Sequence, residues 1–171
     1  MRPSLAVARP PLDIAEMIPL SAAGRQPLFF FGTLMDLDVL TWLLERPIDL
    51  ADLCPAVIRG FRRTGVAGAS YPMLVPDEGA EVEGRLMRRA GARDIARINH
   101  YESEEYRAEL HPVATGAGVE TAAWLYLGLE HMIPTAAPWS LARWQAEHKA
   151  GFFAACDGWM SDFGAARRDR P

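Results

Sequence analysis

The sequence predicts an α+β fold: a curled, mostly antiparallel sheet or small β-barrel, with flanking helices and a long C-terminal helix. Short apolar segments with strand character are interrupted by single stretches of helical periodicity. The longest helical stretch comes last, from Ser140 to about Phe163. A chain of 171 residues fits one domain, which at this size buries roughly two-thirds of the unfolded surface.

The first 26 residues are expected to form an extension of the domain. Prolines at positions 3, 10, 11 and 19 stand among small and polar residues, a composition typical of loose or surface-wrapping chain. One short helical turn is expected around Leu12 to Met17. The globular domain is predicted to cover residues 27–165.

The first strand and the first helix are well marked. Leu28-Phe29-Phe30-Phe31 is a short apolar run typical of a strand buried on both faces, and Gly32 ends it. From Asp36 to Glu45, apolar residues recur at helical spacing, and Pro47 stops the helix.

The middle of the chain predicts further strands around one helix. Gly60 marks a bulge, Asp77-Glu78-Gly79 a turn, and Gly116-Ala117-Gly118 a second turn. The predicted strands are Ala56 to Val66, Tyr71 to Pro76, Val82 to Leu86, Tyr106 to Val113 and Glu120 to Leu127, and the predicted helix is Ala92 to Glu102.

The C-terminal helix carries an apolar stripe. Its members at helical spacing are Leu141, Trp144, His148, Phe152 and Cys156. We interpret His148 as a hydrogen-bonded packing residue, with a catalytic histidine as the alternative.

Composition and charge narrow the class of function. Half of the residues are hydrophobic, 23% are charged, and the net charge is −4. Without a basic block, nucleic acid and anionic membranes are not expected partners. No apolar run reaches membrane-spanning length, and no signal peptide is recognised. Two distant cysteines without metal-ligand spacing indicate reduced thiols, so we expect a cytoplasmic protein.

The turn after the first strand is a candidate ligand-binding loop. Gly32 lets the backbone approach a ligand closely, and the N–H groups of Thr33 and Leu34 lie just before a helix, where an anion is favoured. A Gly-Thr turn after a strand is also common as a purely structural feature.

Glu102 is the candidate catalytic residue. At about 100° per residue, it projects between the directions of Ile95 and Ile98 on the buried face of its helix. Burial raises the pKa of a carboxyl group toward values useful for proton transfer. If the helix instead frays one residue early, Glu102 turns to water.

The residues after Glu102 offer two other interpretations. Glu104 and Glu105 are expected to be solvated, since a metal site would require the three carboxylates to converge without a histidine. Tyr106 and Arg107 begin the next strand, and because successive strand residues point to opposite sides, one of them is expected to face the cavity.

These segments together resemble the gamma-glutamylcyclotransferase superfamily, and its AIG2-like branch in particular. The resemblance covers roughly residues 27 to 160. The matching segments are Phe31-Gly32-Thr33-Leu34, Tyr71-Pro72-Met73-Leu74-Val75, Val82-Glu83-Gly84, Tyr101-Glu102-Ser103 with Tyr106-Arg107, and Leu125-Tyr126-Leu127.

The resemblance implies both an activity and a set of site residues. Glu102 would be the general acid/base that releases 5-oxoproline from a gamma-glutamyl amine or related conjugate, without metal or cofactor. The implied substrate-binding residues are Phe31, Gly32, Thr33, Leu34, Tyr71, Tyr106 and Arg107. Phe31 departs from the family's usual tyrosine, which puts the choice of substrate in question. The expected assembly is a monomer or weak homodimer.

Two other functions stay open at this point. One is a non-catalytic small-molecule binding protein that retains the pocket, for which the Phe31 change is the best support. The other is a toxin-processing or biosynthetic tailoring enzyme with the same chemistry. Glutathione is the less expected substrate because the loop has Gly-Thr where glutathione-directed branches more often have Gly-Ser.

Overall fold

A computed structural model describes residues 17–102 and 105–163 of the chain. Their strands are β1 (Leu28–Phe30), β2 (Leu53–Val66), β3 (Pro72–Met87), β4 (Tyr106–Thr115), β5 (Glu120–Gly128) and β6 (Pro134–Pro138). Their α-helices are α1 (Leu37–Leu44), α2 (Ala92–Glu102), α3 (Leu141–Glu147) and α4 (Lys149–Ser161).

The strands form a closed barrel with one strand added outside it. Neighbours follow the order β3-β1-β5-β4-β2, and β2 closes the ring by pairing with β3, while β6 pairs with β2. The β1–β5 pair is parallel and the other pairs are antiparallel. The predicted α+β fold with a curled, mostly antiparallel sheet and a C-terminal helix is confirmed.

Alternation along β1 divides the core into two clusters. Leu28 and Phe30 pack with residues of the helices, whereas Phe29 and Phe31 pack with side chains from the other barrel strands. Because successive strand residues point to opposite faces, one apolar run fills both the barrel and the space between barrel and helices.

The predicted turn at Asp77-Glu78-Gly79 is wrong. β3 continues from Pro72 to Met87, and its register against β2 jumps from Arg59–Glu81 to Phe61–Pro76. The extra residues of β3 are therefore absorbed as an irregularity opposite the predicted bulge, because β2 runs beside both halves of the strand. Residues typical of a turn therefore form a bulge within a long strand and do not reverse the direction of the chain.

Asp36 fixes α1 and ties it to the C-terminal helices. Its carboxylate caps α1 by accepting hydrogen bonds from the backbone N–H groups of Asp38 and Val39. It also accepts from Gln145 Nε2 at 2.7 Å and from Lys149 Nζ at 2.9 Å. Burial raises the pKa of Asp36, but the hydrogen bonds from Lys149 and Gln145 outweigh burial and hold it below its ordinary value.

The single C-terminal helix predicted from Ser140 to Phe163 is wrong in one respect. His148 has φ −126° and separates α3 from α4, so it does not lie on a continuous buried stripe. Its side chain is 48% exposed, which also overturns the interpretation as a packing histidine. β6 was not predicted, since its sequence Pro-Thr-Ala-Ala-Pro has no strand periodicity.

The residues before β1 pack against α2. Ile18 is buried, and its backbone N–H donates to Asn99 Oδ1 at 2.9 Å while Asn99 Nδ2 donates to the carbonyl of Ile18 at 2.9 Å. The helical turn predicted around Leu12 to Met17 lies, except for Met17, outside the described residues. No helix in the described ranges combines the length and apolar character of a membrane span.

Candidate functional site

A cavity of about 620 Å³ opens between the turn after β1, the end of α2, the start of β4 and the face of α4. Its walls include the predicted residues Phe31, Gly32, Thr33, Leu34, Tyr71, Glu102 and Tyr106. They also include Ser70, Tyr101, Glu105, Tyr126, Glu147, His148, Gly151, Phe152, Ala155, Cys156 and Trp159.

The turn after β1 passes very close to β3. A Cβ atom on Gly32 would lie 3.0 Å from Cγ and 3.2 Å from Cδ of Pro72, so a larger residue would push the turn away from the barrel. The chain then makes a 3-10 turn in which the carbonyls of Gly32 and Thr33 accept hydrogen bonds from Met35 and Asp36. A close approach thus sets the position of the candidate ligand loop.

Arg63 holds the beginning of this loop. Its Nη1 donates to the carbonyl of Phe31 at 2.9 Å and to that of Glu83 at 3.2 Å. The guanidinium lies 5.4 Å from the ring centroid of Trp139, whose Nε1 donates to the carbonyl of Ser70 at 2.8 Å. Arginine and tryptophan therefore link the two chain segments that flank the cavity.

Glu102 ends α2 with its side chain in the cavity. Burial raises its pKa from the ordinary 4.5 to about 8, and the neighbouring Glu105 carboxylate adds to the effect. No ion pair within residues 17–102 and 105–163 includes Glu102. A carboxyl group with this pKa exchanges protons readily near neutral pH.

Tyrosines surround Glu102. Tyr101 Oη lies 3.1 Å from Thr33 Oγ1, so the α2 end contacts the candidate loop directly. Tyr106 donates to the carbonyl of Pro72 at 2.7 Å, and Tyr126 donates to Asn99 Oδ1 at 2.6 Å. Burial raises the pKa of each of these three phenols, so they stay neutral.

Glu105 was expected to be solvated, and the structure corrects this. It lines the cavity and accepts a hydrogen bond from Tyr71 Oη. Burial, followed by this hydrogen bond, raises the pKa of Tyr71. The sequence offered no signal for this pairing because 34 residues separate the two side chains. Glu104 lies outside the described residues.

Arg107 is not among the residues that line the cavity. Its Nε donates to Glu109 Oε1 at 2.6 Å, and Glu109 lies two residues further along the same strand and on the same face. Since Tyr106 faces the cavity, alternation directs Arg107 away from it. We expected one of Tyr106 and Arg107 to face the cavity, and the barrel places Tyr106 there.

The α4 wall was missed by sequence reasoning. Trp159 stacks on Tyr101 with centroids 6.3 Å apart, and Phe152 meets the same ring edge-on at 6.5 Å. A sequence signal was present for Phe152, which belongs to the apolar stripe of the last helix. It pointed only to core packing, because periodicity shows which residues share a face and not what that face covers.

Within residues 17–102 and 105–163, no group of three or more His, Cys, Asp or Glu side chains is arranged to hold an ion.

Residues 28–146 match the family model described as gamma-glutamyl cyclotransferase, AIG2-like. The match includes the loop and Glu102 and ends before α4 begins. AIG2-like protein A of Arabidopsis thaliana is 26% identical over 127 residues, which cover 73% of this chain and 75% of that protein. AIG2-like protein C of the same plant is 26% identical over 141 residues, or 80% and 78% of the two chains.

Solved structures show the same fold at low sequence identity. A solution structure of an Arabidopsis thaliana protein superposes with a TM-score of 0.59 at 22% identity, covering 85% of this chain and 94% of the other. A structure named gamma-glutamyl cyclotransferase gives a TM-score of 0.52 at 15% identity, with 65% and 72% covered. At these identities the likeness concerns the fold alone.

Proposed function

The chain belongs to the gamma-glutamyl cyclotransferase, AIG2-like family, and on this premise we propose that it releases 5-oxoproline from gamma-glutamyl amines. Glu102 acts as the general acid/base, and the loop Gly32-Thr33-Leu34 holds the glutamyl end. The supporting observation is one cavity that contains both this loop and a carboxyl group whose pKa burial raises to about 8.

The reaction begins with proton transfer from the substrate. Its α-ammonium group has a pKa of about 8 or above, much nearer to that of Glu102 than to that of an ordinary glutamate. The raised pKa of Glu102 therefore lowers the free-energy cost of moving the proton from ammonium to carboxylate. An ordinary exposed glutamate, with a pKa of about 4.3, would be a much weaker base.

Ring closure and bond cleavage follow. The freed amine nitrogen attacks the γ-carbonyl carbon, forming the new C–N bond of the five-membered ring. Glu102 then gives its proton to the departing nitrogen, and the original C–N bond breaks. The ring nitrogen loses its second proton, which the released amine takes up. The products are the 5-oxoproline carboxylate and an ammonium ion, so atoms and charge balance without an oxidant, a reductant or a second substrate.

The loop would orient the substrate for this attack. Its backbone N–H groups can receive the α-carboxylate without a basic side chain. The Thr33–Tyr101 contact joins the loop to the turn of helix that carries Glu102, so both ends of the glutamyl group are held by connected elements. Such positioning removes much of the entropy cost of cyclisation.

The test compares wild type with Glu102→Gln on a panel of gamma-glutamyl amines, with 5-oxoproline as the readout. Loss of general acid/base catalysis should lower kcat about 10²–10⁴-fold. Exposed Glu130 supplies a matched control as Glu130→Gln. Equal release by wild type and Glu102→Gln would reject Glu102 as the base. Binding without release by the wild type would favour the non-catalytic binding protein.

We further propose a cytoplasmic protein that works as a monomer or weak homodimer, on small molecules and not on nucleic acid or membranes. Cys54 and Cys156 are both free thiols, which suits a reducing compartment. Fractionation of the cells that make the protein, together with its sedimentation, tests this proposal.

A further inference from the structure

The cavity is larger than the glutamyl group requires. Its volume of about 620 Å³ falls in the range of about 300–1,000 Å³ that suits drug-sized ligands. The loop and Glu102 form one part of its lining. Another part comes from α3, α4 and the residue between them, through Glu147, His148, Gly151, Phe152, Ala155 and Trp159.

The α4 part of this wall is apolar and aromatic. Phe152 and Trp159 pack around Tyr101, yet Trp159 keeps 38% of its surface exposed. An aromatic side chain that borders a cavity and stays partly uncovered offers a flat surface on which another ring can stack. Gly151 and Ala155 lie one turn apart on the same wall and leave space beside these rings.

The lining is acidic and holds no lysine or arginine among its described residues. It includes Glu105, Glu147 and Glu102, the last with a pKa that burial raises to about 8, and one histidine, His148. Lys149, the cation nearest in sequence to the α4 wall, is paired with Asp36 and Asp38. A leaving group that bears a carboxylate would therefore enter without a partner and beside like charges, which costs free energy.

From these observations we infer that the preferred substrates are gamma-glutamyl conjugates of aromatic amines that carry no carboxylate, whose ring lies against α4. The inference rests on the proposed function and adds the class of the leaving amine. It concerns residues of α4, which lie beyond the family match that ends at residue 146.

Two glycines of α4 provide a matched pair of variants. Gly151 lines the cavity and Gly158 does not. A Cβ added at either position meets nothing within 4 Å, and both are exposed. Gly151→Leu thus adds a side chain to the lining of the cavity at a position with room for its Cβ, while Gly158→Leu makes the same change on the same helix at a position that does not line it.

The experiment measures 5-oxoproline release from four conjugates: gamma-glutamyl-phenylethylamide, gamma-glutamyl-methylamide, gamma-glutamylglycine and gamma-glutamyl-putrescine. The wild type should favour the phenylethylamide over gamma-glutamylglycine by at least about tenfold in kcat/KM, the discrimination a hydrophobic pocket provides. Gly151→Leu should lower kcat/KM at least about tenfold for the phenylethylamide and far less for the methylamide. Gly158→Leu should match the wild type on both.

Three outcomes overturn the inference. Turnover of gamma-glutamylglycine or of the non-aromatic putrescine conjugate as fast as that of the phenylethylamide rejects the preference for an aromatic amine without a carboxylate. Equal effects of Gly151→Leu on phenylethylamide and methylamide reject α4 as its binding surface. In both cases 5-oxoproline is still formed and the proposed function stands. Absence of 5-oxoproline from all four conjugates rejects the proposed function, and the inference falls with it.

Discussion

Glu102 should make the protein less stable at neutral pH than a neutral side chain would. Its pKa rises from 4.5 to about 8 on folding, so the folded state binds a proton that the unfolded chain releases. When folding raises the pKa of a carboxyl group, proton binding favours the folded state fully only below the pKa of the group in the unfolded chain. This contribution to stability is lost as pH rises from about 4.5 to about 8.

The magnitude follows from the pKa. Each tenfold change in proton affinity corresponds to about 1.4 kcal/mol, so the penalty is about 3 kcal/mol at pH 7 and less than about 0.5 kcal/mol at pH 4.5. Glu102→Gln keeps the shape of the side chain and does not ionise. The variant should therefore gain about 3 kcal/mol over the wild type between these two pH values.

Urea unfolding of both proteins at pH 4.5 and pH 7 measures this gain. The informative quantity is how much the stability difference between variant and wild type changes between the two pH values. Any free-energy cost of burying the amide is the same at both pH values and cancels. Glu130→Gln, an exposed position, should show almost no such difference. If Glu102→Gln and wild type keep the same relative stability at both pH values, Glu102 is not a buried carboxyl group with a raised pKa, and the argument for its role loses its physical basis.

Three further predictions concern the same site and its support. Below pH 8, kcat/KM for 5-oxoproline release should rise about tenfold per pH unit as Glu102 ionises in the free enzyme; a flat profile from pH 6 to 8 would contradict the assignment. Arg63→Met should lower kcat in protein that is still folded, because it releases the carbonyl of Phe31. Urea unfolding checks that the variant is folded. If its kcat then equals that of the wild type, the loop does not need this hydrogen bond. Gly84→Ala should cost about 3 kcal/mol, since a Cβ there would lie 2.3 Å from the carbonyl oxygen of Phe30; unfolding by urea, with Gly79→Ala as the unhindered control, checks this.

The sequence was sufficient where the pattern is local. α2 runs from Ala92 to Glu102 as predicted, because its apolar spacing alone defines the buried face. The prediction was wrong where the structure depends on residues that are distant in the sequence. Asp77 to Gly79 have the composition of a turn, but β2 pairs with β3 on both sides of them, so they form an irregularity within β3. His148 interrupts the last helix although helical spacing continues through it.

The site shows the same division. Strand alternation predicted that one of Tyr106 and Arg107 would face the cavity, but not which one, since that depends on the register of β4 in the barrel. The pairing of Glu105 with Tyr71 depends on where β3 begins relative to the end of α2. Sequence periodicity gives the direction of a side chain within its own element; the contents of a cavity between elements follow only from their assembly.

The loop after Phe31 is held through its backbone. The residue is 7% exposed and belongs to the cluster inside the barrel, where a phenol would need a hydrogen-bond partner among apolar neighbours. Arg63 binds the carbonyl of Phe31, a group that every residue has, and Gly32 is positioned by its close approach to Pro72. The loop is therefore held through its backbone. The contacts described here that position Gly32 at the cavity use the carbonyl of Phe31 and not its ring, so they do not depend on a hydroxyl group at position 31.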